Sequence, residues 1–365
     1  MLGYGISEAL EAEPWAIDQF DEEGYTPFQL AAQHNRVECL KQLITAQADI
    51  NQKDWGGRTA LMLTAYWGRS VCMQVLLRAN CRVDQEDDCG MTALYYAMWG
   101  GSGVAVALLL AAGASPTKRQ KWNQTPLQFL ARSKVDQETA DDIVRLLLVK
   151  RVDLCALADM GGVTPALDAL YYTNMPVLRS LVEAGASLHA VDHSSQNMLH
   201  RAARFCNLDT LRYLNTLNCT GINTELYDSS GKRPWDYLCN LMYVPDLELV
   251  DYERRPNFEE QDAFVALYND LLLQNLQYEI DTLEQILGAT VQHDKSASST
   301  NLETLMRQKE DWKESNLAAW YRGINGLVRG GCWEQATIDL EDTLEELKSE
   351  KQSLPRKPGL IGDIL

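Results

Sequence analysis

The chain has 365 residues, of which 46% are hydrophobic and 23% charged, a composition typical of a folded soluble protein. Its formal net charge of −18 at pH 7 argues against nucleic acid or an anionic membrane as the main partner and favours basic or apolar protein partners. Since no apolar run approaches the roughly 18 residues that a membrane span needs, the sequence predicts no transmembrane helix. The first residues also lack the basic start and apolar stretch of a secretory signal.

Nine cysteines are scattered along the chain, and no two of them form a C-x-x-C pair. This usage is typical of reduced, structural thiols and argues against a disulfide or zinc framework. The sequence therefore predicts a cytoplasmic location, with the nucleus as the alternative. It predicts neither a metal nor a cofactor.

Six short segments of the chain begin alike, with a turn that leads into a short helix. They are GYTPFQLAA, GRTALMLTA, GMTALYYAM, NQTPLQFLA, GVTPALDAL and QNMLHRAA. Their threonines, or the asparagine of the last segment, stand at Thr26, Thr59, Thr92, Thr125, Thr164 and Asn197, at intervals of 33, 33, 33, 39 and 33 residues. One such turn–helix–turn–helix unit cannot bury its own apolar face, so it needs copies of itself on either side.

A 33-residue period whose units start with a T-P-L-H-like sequence resembles the ankyrin-repeat family, over residues 17–238. The resemblance implies an all-α fold, with a solenoid of about seven helix-turn-helix repeats and β-turn fingers over residues 21–240. Residues 1–20 are expected to form an N-terminal capping half-repeat, with its helix at Ser7–Trp15, because an end repeat has one face without a neighbour. About five extra residues of repeat four, around Ser133–Asp141, predict a surface loop.

The repeat pattern stops near residue 240, and residues 241–256, rich in Pro, Asp and Glu, are predicted to be a connector. Asn257–Glu260 then has the form of a capping box, which predicts the start of a helix that ends at Gly288. A second capping-box pattern at Thr300 predicts a helix that runs to Gly330.

A third, acidic helix is predicted over Trp333–Lys348. We expect the three helices to form a C-terminal three-helix module over residues 257–350, which carries no recognised motif. Residues 351–365 are predicted to be a mobile tail.

The resemblance also implies where a partner would bind, since ankyrin proteins use a concave groove lined by the inner helices and fingers. The positions that face this groove are unusually aromatic from repeat two to repeat four, and an arginine lies beside them. The predicted site residues are Trp55, Tyr66, Trp67, Tyr95, Trp99, Trp122, Arg132, Tyr172 and Arg204. Tyr, Trp and Arg dominate the binding energy of many interfaces, and an apolar patch of this size is typical of a binding site.

These features predict a non-enzymatic interaction scaffold that holds a peptide or protein segment in an aromatic groove. None of the motifs G-x-S-x-G, H-E-x-x-H or G-x-x-x-x-G-K-[ST] occurs. His200 occupies the histidine position of the T-P-L-H sequence, which implies a structural hydrogen-bonding role. The sequence thus favours a protein without catalytic activity and leaves the question open.

The alternative is an unconventional enzyme or small-molecule binder, whose aromatic cleft would be closed by the C-terminal helices. Its polar residues would be Arg132, Asp168, Tyr172, His200 and Arg204. A third hypothesis is a structural subunit of a larger complex, which would use mainly the C-terminal helices.

Overall fold

The computed structural model describes residues 17–148, 152–217, 219, 221–243, 255–311 and 315–353. These residues form helices, turns and loops and no β-strand. The chain divides into two compact units, Met1–Ala190 and Val191–Leu365. The predicted capping helix at Ser7–Trp15 lies outside the described residues, as does the tail beyond residue 353.

The first unit consists of helix pairs in series. Its helices are α1 (Pro27–Gln33), α2 (Val37–Thr45), α3 (Ala60–Tyr66), α4 (Ser70–Arg78), α5 (Ala93–Trp99), α6 (Gly103–Ala111), α7 (Pro126–Leu130), α8 (Gln137–Leu148), α9 (Pro165–Tyr171) and α10 (Met175–Glu183), with a 3₁₀ turn at Val152–Ala156. The odd-numbered helices are the inner helices of the repeats, and the even-numbered ones are the outer helices. From repeat one to repeat five, the helices of one repeat pack on their counterparts in the next, which is the arrangement that the 33-residue period predicts.

In most repeats the threonine, or Asn197 in repeat six, caps the start of the inner helix, whereas the Thr92 side chain makes no capping hydrogen bond. In repeat one the Thr26 hydroxyl accepts a hydrogen bond from the Gln29 amide at 3.3 Å, and the Gln29 side-chain oxygen accepts one from the Thr26 amide at 2.8 Å. This reciprocal capping box satisfies two amides that a helix start leaves unpaired. Proline at the first helical position, as in Pro27, loses nothing there because its missing amide would be unpaired anyway.

An aspartate closes the finger turn before every inner helix except that of repeat four. Asp54 Oδ1 accepts from the amides of Gly56 at 2.9 Å and Arg58 at 2.7 Å. The same pair of bonds recurs at Asp21, Asp87, Asp159, Asp192 and Asp228. In repeat four Gln120 takes this place, and its side-chain oxygen accepts from the Trp122 amide. The finger turn is therefore determined by local hydrogen bonds.

The outer helices bury one side and expose the other. Leu40, Leu76 and Leu109 are fully buried, as their helical spacing predicts. Val71 and Val104, which the same pattern assigned to the core, are 53% and 60% exposed. Each comes early in its outer helix, and the next residue along the chain takes the inward position, so these two valines face solvent.

The extra residues of repeat four are divided between a loop and a helix. The loop predicted around Ser133–Asp141 extends only to Asp136, whose Oδ1 accepts from the Thr139 amide at 2.9 Å. Helix α8 therefore begins at Gln137 and is 12 residues long, against nine for α6.

The second unit contains repeat six, a partial seventh repeat and the C-terminal helices. Its helices are α11 (Met198–Phe205), α12 (Leu208–Thr216), α13 (Pro234–Tyr243), α14 (Phe258–Val291), α15 (Lys295–Asp311), α16 (Ser315–Gly330) and α17 (Trp333–Ser353). Helix α12 packs on the long helix α14, which also contacts α15 and α17. The division between the units consequently falls at residue 190 rather than near residue 240, where the repeat pattern ends.

Four helices, rather than the expected three, make up the described part of the C-terminal module. The predicted second helix is divided into α15 and α16. Helix α15 begins at Lys295, ahead of Thr300, because Asp294 Oδ1 accepts from the amides of Ser296 and Ala297 at 3.1 Å and so caps the helix earlier. These helices share one apolar core, which includes Leu283, Leu302, Tyr321, Ile324 and Leu340.

Candidate functional site

Aromatic side chains collect at the C-terminal ends of the inner helices in the first unit. Tyr66 is the last residue of α3 and Trp67 follows it, Trp99 is the last residue of α5, Phe129 lies in α7, and Tyr172 follows α9. Because the repeats stack in register, equivalent positions become neighbours although they are some 33 residues apart in sequence. We refer to these five residues as the aromatic row.

The rings of the aromatic row contact one another across three repeats. The Tyr66 ring lies edge-on to Trp67 at 5.1 Å and to Trp99 at 5.4 Å between centroids. Trp99 in turn meets Phe129 at 6.5 Å. Edge-to-face pairs of this kind contribute about 0.5–1.5 kcal/mol beyond the area they bury, so each ring helps to orient the next.

Arg132 continues the row from repeat four to repeat five. Its guanidinium carbon lies 4.5 Å from the ring centroid of Phe129 and 5.3 Å from that of Tyr172. Both distances fall within the range of cation–π attraction. The row with Arg132 therefore extends from repeat two to repeat five.

Three of the rings are held in place yet remain open to solvent. Trp67 is 50% exposed, Trp99 is 43% exposed and Tyr172 is 38% exposed. A side chain that is fixed by its neighbours loses little entropy on binding, and a half-exposed ring still offers apolar surface to a partner. The three rings therefore present apolar surface to solvent in a fixed orientation.

Two family models match the sequence, both for ankyrin repeats. The model described as ankyrin repeats (3 copies) matches residues 31–120, and the model described as ankyrin repeats (many copies) matches residues 166–214. This chain is an ankyrin-repeat protein. Ankyrin repeats are in general protein–protein interaction modules, and that coarse function applies here.

The crystal structure of the human ASB11 ankyrin repeat domain is similar to the chain, with 22% sequence identity and a TM-score of 0.51. The match covers 67% of this chain and 98% of that one. At this identity the likeness supports the ankyrin solenoid fold alone. No curated protein matches the sequence significantly.

Tyr95, predicted to line the groove, instead belongs to the core of the ankyrin solenoid. It is fully buried, and its hydroxyl lies 2.6 Å from the Lys118 carbonyl and 2.5 Å from the Gln124 carbonyl. Burial raises the pKa of this phenol, so it stays protonated and donates a hydrogen bond. Tyr95 stands at the histidine position of the ankyrin T-P-L-H sequence, whose side chain reaches the next repeat, and this explains why it is not available to a partner.

The remaining predicted site residues are exposed or half-buried but do not belong to the aromatic row. Trp55 is 68% exposed and lies against the backbone of Gly24 in the neighbouring ankyrin finger. Trp122 is 57% exposed on the finger of repeat four. Arg204 lies in the second unit, with its guanidinium carbon 4.8 Å from the Phe205 centroid and 4.9 Å from that of Tyr237.

His200, a polar candidate for the alternative function, is a buried structural residue. Its Nδ1 accepts from the Asn197 amide at 3.2 Å, and its Nε2 lies 3.2 Å from the Lys232 carbonyl, to which it donates. Burial lowers the pKa of the imidazole, which favours the neutral form. These bonds occupy both ring nitrogens within the ankyrin framework. The alternative function, an enzyme or small-molecule binder, stays a hypothesis.

The described residues include no helix long and apolar enough to cross a membrane. Within the same part of the chain, no group of three or more His, Cys, Asp or Glu side chains is placed to hold a metal ion.

Phe129 is the member of the row that the sequence did not predict. It is almost completely buried and connects Trp99 to Arg132. A sequence signal for it exists, because Phe129 and Arg132 are three residues apart at the end of an inner helix, where such residues are neighbours.

Proposed function

We propose that this ankyrin-repeat protein binds an extended segment of a partner protein along the aromatic row. The observation that supports this most directly is the half-exposure of Trp67, Trp99 and Tyr172, whose rings are oriented by neighbouring side chains. Rigid aromatic residues of this kind are the usual anchors of protein interfaces.

The segment is proposed to contribute apolar side chains that cover the exposed rings. Each square ångström of apolar surface removed from water contributes roughly 25 cal/mol, and the fixed rings lose little freedom in exchange. At long range the net charge of −18 favours a partner that is basic overall, since complementary charge accelerates association.

We further propose that the protein works in a reducing compartment, the cytoplasm or the nucleus. The nine cysteines all lie in the described part of the chain, and none of them forms a disulfide. Burial raises the pKa of Cys81 to about 11 and that of Cys206 to about 12, which keeps both protonated and unreactive.

The test uses a library of random linear peptides displayed on phage and selected on the full chain. Peptides selected on the wild type are then measured against Trp67→Ala/Trp99→Ala. Because truncating an anchor residue costs about 2 kcal/mol or more, we expect these peptides to lose affinity by at least about 30-fold.

The matched control is Val71→Ala/Val104→Ala, which truncates two exposed apolar side chains on the outer helices of the same repeats. It should leave peptide affinity unchanged. Peptides that bind the wild type and the tryptophan double variant equally well would show that the aromatic row is not the binding site.

A further inference from the structure

Arg132 has no carboxylate partner in the described part of the chain, unlike several arginines of this acidic protein. Arg58 pairs with Asp54 at 2.7 Å, Arg145 with Asp142 at 3.3 Å, and Arg201 with Asp192 at 2.9 Å. Among the described residues, no carboxylate lies within 4.0 Å of the Arg132 side-chain nitrogens. Its side-chain hydrogen bond, from Nη2 to Gln124 Oε1, is long at 3.4 Å.

The Arg132 side chain is nevertheless held in one orientation by its neighbours. Its guanidinium packs over the rings of Phe129 and Tyr172, which are contributed by two successive repeats. Ring contacts of this kind use the flat face of the guanidinium, whereas its N–H groups donate in the plane and at the edge. Arg132 is also exposed, so these donors are accessible to a bound molecule.

We propose that Arg132 binds the carboxylate of an Asp or Glu in the segment that lies on the aromatic row. This inference rests on the proposed function and adds a residue preference to it. The planar fork of a guanidinium matches a carboxylate and forms strong charge-assisted hydrogen bonds with it. A single arginine favours a carboxylate over a phosphorylated residue, since phosphate recognition typically uses a cluster of arginines.

The structure also limits where in the segment this acidic residue lies. The Trp99 ring and the Arg132 guanidinium both contact the ring of Phe129, at 6.5 Å and 4.5 Å, so they are at most about 11 Å apart. An extended chain advances about 3.3 Å per residue. The acidic residue is therefore expected within about three positions of the apolar residue that covers Trp99. A partner that is basic overall still presents one acidic residue at this place.

The experiment measures peptides that were selected from the random library on the wild-type chain. Binding is compared between the wild type, Arg132→Gln and the matched control Arg145→Gln, which removes one exposed positive charge from the outer helix of the same repeat. We expect Arg132→Gln to weaken binding about 10-fold or more, because hydrogen bonds to charged groups are strong. Arg145→Gln should change it by no more than about two-fold.

A double-mutant cycle locates the contact. Replacing the acidic residue of the peptide by its amide should weaken binding to the wild type about 10-fold and have little further effect in Arg132→Gln. The inference is overturned if the selected peptides carry no acidic residue at a fixed spacing from an apolar one, or if the two changes are additive.

The outcome also separates this inference from the proposed function. Loss of binding in Trp67→Ala/Trp99→Ala with no loss in Arg132→Gln would retain the aromatic row as the site and reject the acidic contact. Undiminished binding in the tryptophan double variant would reject the site itself.

Discussion

The side chain of Asn174 holds the backbone on both sides of Arg132. Its amide nitrogen donates to the Ala131 carbonyl at 3.1 Å and to the Ser133 carbonyl at 2.7 Å, and its Oδ1 caps α10 by accepting from the Val177 amide at 3.3 Å. One residue of repeat five therefore anchors the turn of repeat four that carries the proposed carboxylate-binding arginine.

Replacing Asn174 by Ser is expected to loosen this turn while the helix cap is kept. Serine is a good N-cap, but its hydroxyl is too short to reach the carbonyls of repeat four. The amides of residues 131–136 should exchange with solvent faster than in the wild type, measured by hydrogen exchange with mass spectrometry. Exchange in α2 and α4, far from the change, provides the internal control. Unchanged exchange at 131–136 would mean that Asn174 does not restrain the turn.

Tyr95→Phe should destabilise the solenoid without affecting peptide binding. The substitution removes the hydroxyl that bonds a carbonyl of the next repeat, and a buried acceptor without its partner costs about 1–3 kcal/mol. Urea unfolding gives the loss in the free energy of unfolding, and the affinity for selected peptides should stay at the wild-type value. A stable Tyr95→Phe variant with weakened binding would instead place Tyr95 in the binding surface.

Gly100→Ala is expected to cost about 1–3 kcal/mol of stability through a steric clash. A Cβ at this position would lie 2.0 Å from the Tyr66 carbonyl oxygen, although the backbone itself, with φ −72°, suits alanine. The control is Gly103→Ala in the same repeat, where the closest atom would be 3.7 Å away. That variant should be neutral or more stable by up to about 1 kcal/mol, because alanine favours the helix. Equal stabilities of the two variants in urea would show that the repeats are not in close contact at Gly100.

His200→Gln should reduce the sensitivity of the protein to mild acid. Burial lowers the pKa of His200 below its ordinary value of 6.5, so the unfolded chain takes up a proton before the folded one does. The contribution of neutral His200 to the free energy of unfolding is therefore fully present above about pH 6.5. It decreases as the pH falls further, by at most about 1.4 kcal/mol per pH unit.

Glutamine is a suitable replacement because the chain already uses it at this position in other repeats. Gln29 donates to the Gln52 and Arg58 carbonyls at 3.0 and 2.9 Å, and Gln128 donates to the Val163 carbonyl at 2.8 Å. Unfolding followed between pH 7 and pH 5.5 should show a smaller loss for the variant than for the wild type. Identical losses would contradict a neutral buried histidine.

Lys309→Met is expected to destabilise the C-terminal helices strongly. Lys309 and Glu279 form an ion pair at 2.8 Å with side chains only 7% and 6% exposed, and removing one member of a buried pair costs about 3–5 kcal/mol. Lys348→Met is the control, since its pair with Glu284 is about half exposed and contributes at most about 1 kcal/mol. Hydrogen exchange of the α14 amides measures both. Similar effects of the two substitutions would show that the buried pair adds nothing beyond a surface pair.

The sequence alone predicts the elements that local interactions determine. The finger turns form because an Asp side chain accepts hydrogen bonds from the amides two and four residues ahead, as Asp54 does. An inner helix starts where a side chain such as that of Thr26 accepts a hydrogen bond from the amide three residues ahead. Both devices connect near neighbours in the chain, so they recur in the sequence and reveal the repeats. The same reasoning missed the early start of α15, because its pattern at Thr300 also fits the interior of a helix.

The tertiary structure decided which of the aromatic residues are available to a partner. Tyr95 and Trp99 lie one turn apart on α5, yet one is fully buried and the other is 43% exposed, a difference that helical periodicity does not predict. The pairing of Asn174 with the turn at Arg132 joins residues more than 40 positions apart. The sequence by itself determined the repeated unit, through short-range hydrogen bonds and helical periodicity. The surface that the units create together depends on packing between distant segments, which no local pattern encodes.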